Sequence, residues 1–256
     1  MAICKLCLKD KKLIDAHIIP RGFYDFLYPD EVDYPGSSKK SLMILRSVGK
    51  ATNSQIGEYD QNILCAECDN GIGKYDDYAQ IIFLRTDPVV FHESASKIEN
   101  IDYKRLKLFF ISLLWRASIS SRDFFKLVDT GPFEDELRDM IIKEEVGSVN
   151  DFSLIFTRFR DDNPKLKEVI NRNMTVPLPH KFVDGVNCYI FYFPNRYKVF
   201  IKVDKRPLPE GLLKISLQPN GPLNILDAGS FENSPEFKKM VEVANKDYSK
   251  SINKGK

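Results

Sequence analysis

Four cysteines and one histidine carry most of the recognisable chemistry in the first seventy residues. Cys4 and Cys7 form one C-x-x-C pair and Cys65 and Cys68 a second, with His17 between them in the stretch DAHIIPRGF. A C-x-x-C pair makes a knuckle that aims two thiolates at one point. Two knuckles supply the four sulfurs of a tetrahedral Zn²⁺ site, with Zn–S bonds of about 2.3 Å. The 57 residues between Cys7 and Cys65 exceed the usual spacing of a zinc ribbon, so an insertion must loop out of the site. A redox dithiol would need only one pair, in a thioredoxin-like strand–helix setting that neither pair has. Cys188, the fifth cysteine, lies in the apolar run NCYIFYF and reads as a small core residue. The other two histidines, His92 and His180, have no cysteine frame and read as incidental.

Composition narrows the setting. Across 256 residues, 43% are hydrophobic and 29% charged, which suits a globular protein of one or two domains. The net charge of +2 gives no bulk attraction to nucleic acid or membrane. The N-terminus runs into Cys4 without an apolar leader, and the apolar run LKLFFISLLW is too short to span a bilayer. A cytoplasmic location is expected. There C-x-x-C pairs bind metal or do redox work rather than form structural disulfides.

The elements that must position these residues differ along the chain. Residues 1–80 are turn-rich, with YPDEVDYPG and GSSKK reading as loop, and they need a staple such as a metal. Leu106, Phe109, Phe110, Leu113 and Leu114 recur at helical spacing, predicting a central buried helix over about 102–120. A second helix is expected after Pro132, with Glu134, Asp135 and Glu136 in its first turn. Strands are expected over about 150–218: DFSLIFTRF, the hairpin NCYIFYF–PNR–YKVFIKV, and LLKISLQ. Ser234 and Pro235 open a C-terminal helix over about 234–248. The expected fold is α+β: a zinc-stabilised module over 1–80, then a domain over 81–256 with helices and an antiparallel sheet.

The paired cysteines around His17-Ile18-Ile19-Pro20, with the Leu64-Cys65/Cys68 knuckle and the polar residue after it, resemble the HNH endonuclease family. GEYDQNILCAECDNGIGKYDDYA resembles a divergent branch of it, and LFFISLLWRASIS…GPFEDELRDMI looks like the segment C-terminal to the module in bacterial HNH-type proteins. The resemblance covers about a third of the chain. It implies a ββα-metal fold over 1–80, in which a strand presents the histidine and the second cysteine pair leads into a short helix. It also implies phosphodiester hydrolysis in DNA with Mg²⁺ or Mn²⁺, with His17 as general base, and a setting in bacterial defence or a mobile element.

This chain departs from the family's pattern at several positions. Where the family has a metal-ligating Asp or His before the histidine, Ala16 stands, and Asp15 would point to the other face of the strand. The central Asn corresponds to Asp60, with Asn62 nearby, giving both as catalytic candidates. Asp69 takes the helix-ligand position. Asp76, two turns on, shares its face, so the pair reads either as a cation site with His17 or as an acidic helix start and a solvated face. Lys11, Lys12 and Arg21 are candidates for phosphate contact, with Lys39, Lys40, Arg46 and Lys50. Against them, residues 1–80 hold ten basic and twelve acidic side chains. The alternative function is a catalytically silent zinc module that binds nucleic acid or a partner protein. A homo-oligomer is a further expectation.

Overall fold

The computed structural model describes residues 2–27, 42–44, 52–54, 57–160, 174, 177–182, 184–235, 237, 238, 241 and 242. The chain begins with a hairpin of β1 (Ala2–Ile3) and β2 (Asp10–Lys11), which carries the first cysteine knuckle. Next come β3 (Ala16–His17) and, after Pro20, the short helix α1 (Arg21–Asp25). A small hairpin of β4 (Leu42–Ile44) and β5 (Thr52–Ser54) comes after it, and then β6 (Tyr59–Asp60) returns to pair with β3. Helix α2 (Ala66–Gln80) starts beside Cys65 and runs on into a π turn over Ile81–Arg85.

The rest of the chain is built on one seven-stranded sheet. Its strands are β7 (Val89–His92), β8 (Ala95–Ile98), β9 (Leu154–Arg160), β10 (Leu178–Lys181), β11 (Asn187–Phe193), β12 (Tyr197–Lys202) and β13 (Leu223–Ser230). They are ordered β10-β11-β12-β9-β13-β8-β7. The sheet is mixed rather than antiparallel, because β13 runs parallel to β9. Parallel neighbours cannot be joined by a tight turn; between β9 and β13 the chain runs through β10, β11 and β12, and the segment from β12 to β13 passes the end of β9. That segment contains α5 (Glu210–Ile215), where the sequence had suggested a strand over LLKISLQ. Leu212, Leu213 and Ile215 fit either reading; here they pack on the cluster of Ile155, Val186 and Leu208. β7, β8 and β13 were not anticipated, although β13 buries Leu223 and Ile225 at the two-residue spacing of a strand. The β11–β12 hairpin turns at PNR as expected, with Asn195 and Arg196 both at positive φ. Of the expected C-terminal helix, residues 235, 237, 238, 241 and 242 are helical, and most of the remainder falls outside the described residues.

Helix α3 (Tyr103–Ile119) lies at the centre, as its apolar run predicts, with Asp102 capping its start by accepting from the Arg105 N–H at 3.0 Å. Every residue from Leu106 to Ala117 is buried. α2 packs along one flank and α4 (Glu134–Lys143) along another, while Phe110 meets Phe156 of β9 edge-on at 5.4 Å. Phe83, in the π turn, stacks on Phe193 at 5.0 Å and meets the Tyr197 ring at 4.8 Å. Phe23 of α1 reaches the same Phe193 at 5.2 Å. One cluster of buried side chains therefore runs from Cys4 to Ile225, and the boundary expected near residue 80 does not divide it.

Lys107 is 1% exposed on α3 and donates to the carbonyls of Asp151 and Phe152 at 2.6 and 2.9 Å. Burial pulls its pKa from 10.5 down to about 7. Lys202, also buried, is lowered for the same reason. A depressed lysine pKa means that the unfolded chain binds more protons between the two values, so stability rises with pH across that interval. Buried Tyr24 and Tyr197 have raised pKa values and act in the opposite direction above about pH 10. The melting temperature is expected to climb from about pH 7 to pH 9.5, and Lys107→Met is expected to flatten the climb. Thermal melts across that range are the measurement; equal slopes in parent and variant would contradict it.

Candidate metal centre and the histidine beside it

The first knuckle is shaped by backbone hydrogen bonds that close a tight loop: Leu8 N–H to the Cys4 carbonyl at 2.8 Å, and Cys4 N–H to the Lys9 carbonyl at 3.0 Å. Leu8 sits at φ 58°, the left-handed turn that brings the chain back. The second knuckle is the N-terminus of α2. Lys5 N–H to Ile63 and Ile14 N–H to Leu64 sew the two together, at 2.9 and 3.0 Å. The four sulfurs of Cys4, Cys7, Cys65 and Cys68 lie within 4.8 Å of one another. None is in a disulfide. Sulfurs around a tetrahedral zinc lie about 3.8 Å apart when Zn–S is about 2.3 Å, so the cluster fits the ion. The Cys65 N–H also donates to the Cys4 sulfur at 3.4 Å, one more tie between the two knuckles. Burial, and then hydrogen bonds to the other three thiols, push the Cys68 thiol far above its usual range. Cys188 lies elsewhere, buried in β11, and burial raises its pKa to about 12.

His17 lies on the two-residue strand β3, opposite Tyr59 of β6. Its ring is half-buried between the rings of Tyr24 and Tyr59, at 6.3 and 6.0 Å. Tyr24 can pack there because residue 57 is glycine: at φ 81° it has no Cβ, and one would overlap the Tyr24 ring at 2.4 Å. Directly paired strand residues share a face and neighbours alternate. His17 and Tyr59 therefore share one face, and Ala16 and Asp60 the other. Ala16 is fully buried, Asp15 exposed.

Asp60 is thus turned away from the imidazole. Its carboxylate accepts from Asn62 N–H at 2.9 Å, Ser121 N–H at 2.7 Å, Ser121 Oγ at 2.9 Å and Ser120 Oγ at 3.2 Å. Burial alone would raise its pKa, but these donors outweigh it and lower the pKa. The residue anchors β6 to the end of α3. Asn62 is exposed and contributes its backbone N–H to that anchor.

Asp69 lies in the first turn of α2 and is partly buried. Burial pushes its carboxyl up, and the nearby charges of Arg116 and His17 pull it back. Asp76 is held by Arg116 through both carboxylate oxygens, at 2.7 and 2.9 Å. Burial raises its pKa and the guanidinium opposes this. Among the described residues, the cysteine quartet is the one group of three or more potential ligands gathered tightly enough to hold an ion. His17, Asp69 and Asp76 are not drawn together in that way.

The expected phosphate contacts are less free than the sequence suggests. Lys11 pairs with Glu67 and Arg21 with Asp25, while Lys12 is exposed. Lys39, Lys40, Arg46 and Lys50 lie outside the described residues. His92 sits at an exposed hairpin beside Ser94, and His180 packs on the Phe182 and Phe200 rings. Sequence reasoning did not single out Arg116, Ser120, Ser121 or the buried Glu58, which pairs with Arg122 at 3.1 Å. One signal was available: Arg116, like Lys107, is a charge inside a largely apolar helical run. Compared with protein-family models, with curated proteins and with solved structures, the chain matches none. Among the described residues, no helix is long and apolar enough to cross a membrane.

One zinc per chain is the expected result of elemental analysis on purified protein. Cys65→Ser should lose the ion and lower the melting temperature, because a structural zinc adds its binding energy to folding. A metal-free protein with an unchanged melt would contradict both.

Proposed function

We propose that this chain is a metal-dependent HNH-type endonuclease that hydrolyses phosphodiester bonds in DNA. The supporting observation is the order strand–strand–helix around one histidine. His17 stands on the β3–β6 ribbon, the chain then enters α2 at the cysteine cluster, and Asp69 in its first turn is close enough to His17 to feel its charge. On this reading residues 1–80 form the ββα-metal module that the resemblance implies, with the sheet domain packed against it.

The residues available divide the work. The four thiolates saturate a closed zinc site, which leaves no open position for chemistry. A second ion, Mg²⁺ or Mn²⁺, would stabilise charge on the scissile phosphate and the leaving oxygen. Asp76 is engaged by Arg116, so a three-ligand site from His17, Asp69 and Asp76 is not assembled. Among the candidate ligands, Asp69 would be the carboxylate left to hold that ion. The His17 imidazole takes the proton from the attacking water, a role for which histidine is the commonest side chain. The Tyr24 and Tyr59 rings flank it at 6.3 and 6.0 Å.

A second reading has its own support. Ala16 is buried where the family carries an acidic or histidine ligand, and Asp60 is saturated by donors from the end of α3. A module that kept its zinc but lost its chemistry would bind nucleic acid or a partner protein instead.

Cleavage of supercoiled plasmid in Mg²⁺ or Mn²⁺ separates the two. His17→Ala should lose about 10²- to 10⁴-fold in rate with zinc content and melt preserved. Asp69→Ala should lose activity that higher Mn²⁺ partly restores. Undiminished cleavage by His17→Ala would remove His17 from the reaction, and a parent that cuts no DNA with either ion would favour the binding module.

A further inference from the structure

Arg116 belongs to no motif in the sequence. It lies on α3, forty residues past Asp76, and its side chain is 1% exposed. Nη1 donates to Asp76 Oδ2 at 2.9 Å and Nη2 to Oδ1 at 2.7 Å, a two-pronged fork. Nη1 also donates to the main-chain carbonyl of His17 at 3.1 Å. Nε turns back to the Ser112 carbonyl at 3.4 Å, and Nη2 lies 3.5 Å from the Ser112 hydroxyl. One guanidinium thus joins α3, α2 and β3.

We propose that Arg116 is a positioning residue for His17, fixing the histidine's backbone against the acidic face of α2. The inference rests on the reading of His17 as the general base. The β3–β6 ladder is only two residues deep, and so short a ladder leaves the tilt of the strand weakly determined. The Arg116–carbonyl bond supplies a third point of attachment on the histidine itself. Asp76 in turn fixes Arg116, and Asp69 lies two turns from Asp76 along the same helical face. The separation between imidazole and Asp69 is therefore set from behind, by a side chain from outside the cysteine frame. Burial keeps Arg116 away from any phosphate, so it acts through His17. Lysine would not replace it: an ammonium offers no planar fork for two carboxylate oxygens while also serving the carbonyl.

The test uses the full chain with ¹³C-labelled histidine, whose three imidazole signals are assigned with His92→Gln and His180→Gln. Two variants are compared with the parent. Arg116→Lys keeps the charge and loses the fork. Arg116→Met with Asp76→Leu removes both charges and strands neither. With zinc retained and melting cooperative, the His17 signal is expected to move in both variants while those of His92 and His180 stay. Turnover on supercoiled plasmid with Mg²⁺ should fall about a hundredfold in kcat with KM little changed, the mark of misplacement rather than lost binding. An unmoved His17 signal in both variants overturns the proposal, as does loss of fold in both, which would make Arg116 a stability residue. A parent that cuts no plasmid while the His17 signal moves as expected sinks the nuclease reading and leaves the positioning role standing. Cleavage that persists with kcat unchanged in both variants does the reverse.

Discussion

A helix buried from Leu106 to Ala117 has no water to turn to there, so a charged side chain on that stretch must be answered by protein. That constraint on α3 organises much of the molecule. Near its start, Lys107 is met by two carbonyls from the loop before β9. In its middle, Ser112 donates back to the Phe109 carbonyl at 2.9 Å. Near its end, Arg116 is met by Asp76 and the His17 carbonyl. The terminal Ile119 carbonyl accepts from Lys5 Nζ at 2.8 Å, and the two serines just past it feed Asp60. The cysteine-framed segment takes the place of solvent for the C-terminal half of α3.

Such a polar seam adds little net stability, because desolvating the charges offsets most of their attraction. Its effect is on specificity. Removing one partner strands a buried charge, so the segment is held in one arrangement and sliding is heavily penalised. The apolar contacts of Phe23 and Phe83 provide attraction without a preferred register. Asp60, Asp76 and Glu58, each matched by a donor from α3 or the residues just after it, supply the register.

How much of this was legible in the sequence depends on the range of each signal. The cysteine quartet was legible because each knuckle is local and the two pairs match. α3 was legible because its apolar run is long, whereas α2 was expected only through the resemblance, as a short helix, and runs 15 residues. Asp69 and Asp76 were placed correctly on one face, but the use of Asp76 depends on Arg116, and nothing within a helical turn reveals that. Asp60 was read by its distance from the cysteines, whereas strand alternation turns it away from His17 and toward Ser121. Leu212, Leu213 and Ile215 suit a strand or a helix equally, so only their packing partners decide. The parallel placement of β13 depends on which side of β9 the chain re-enters the sheet after β12, which single-strand patterns do not encode.

The order of synthesis gives the seam a further consequence. Asp60 and Asp76 leave the ribosome well before the groups that answer them, since Arg116 comes forty residues after Asp76. At roughly 5–20 residues per second, that interval lasts about 2–8 seconds. During it, α2 has an acidic, partly apolar face with no helix to cover it, and Phe23 has no Phe193. The four cysteines, by contrast, are complete once residue 68 has emerged. A cluster that can close on zinc early would hold the nascent segment in shape until α3 arrives.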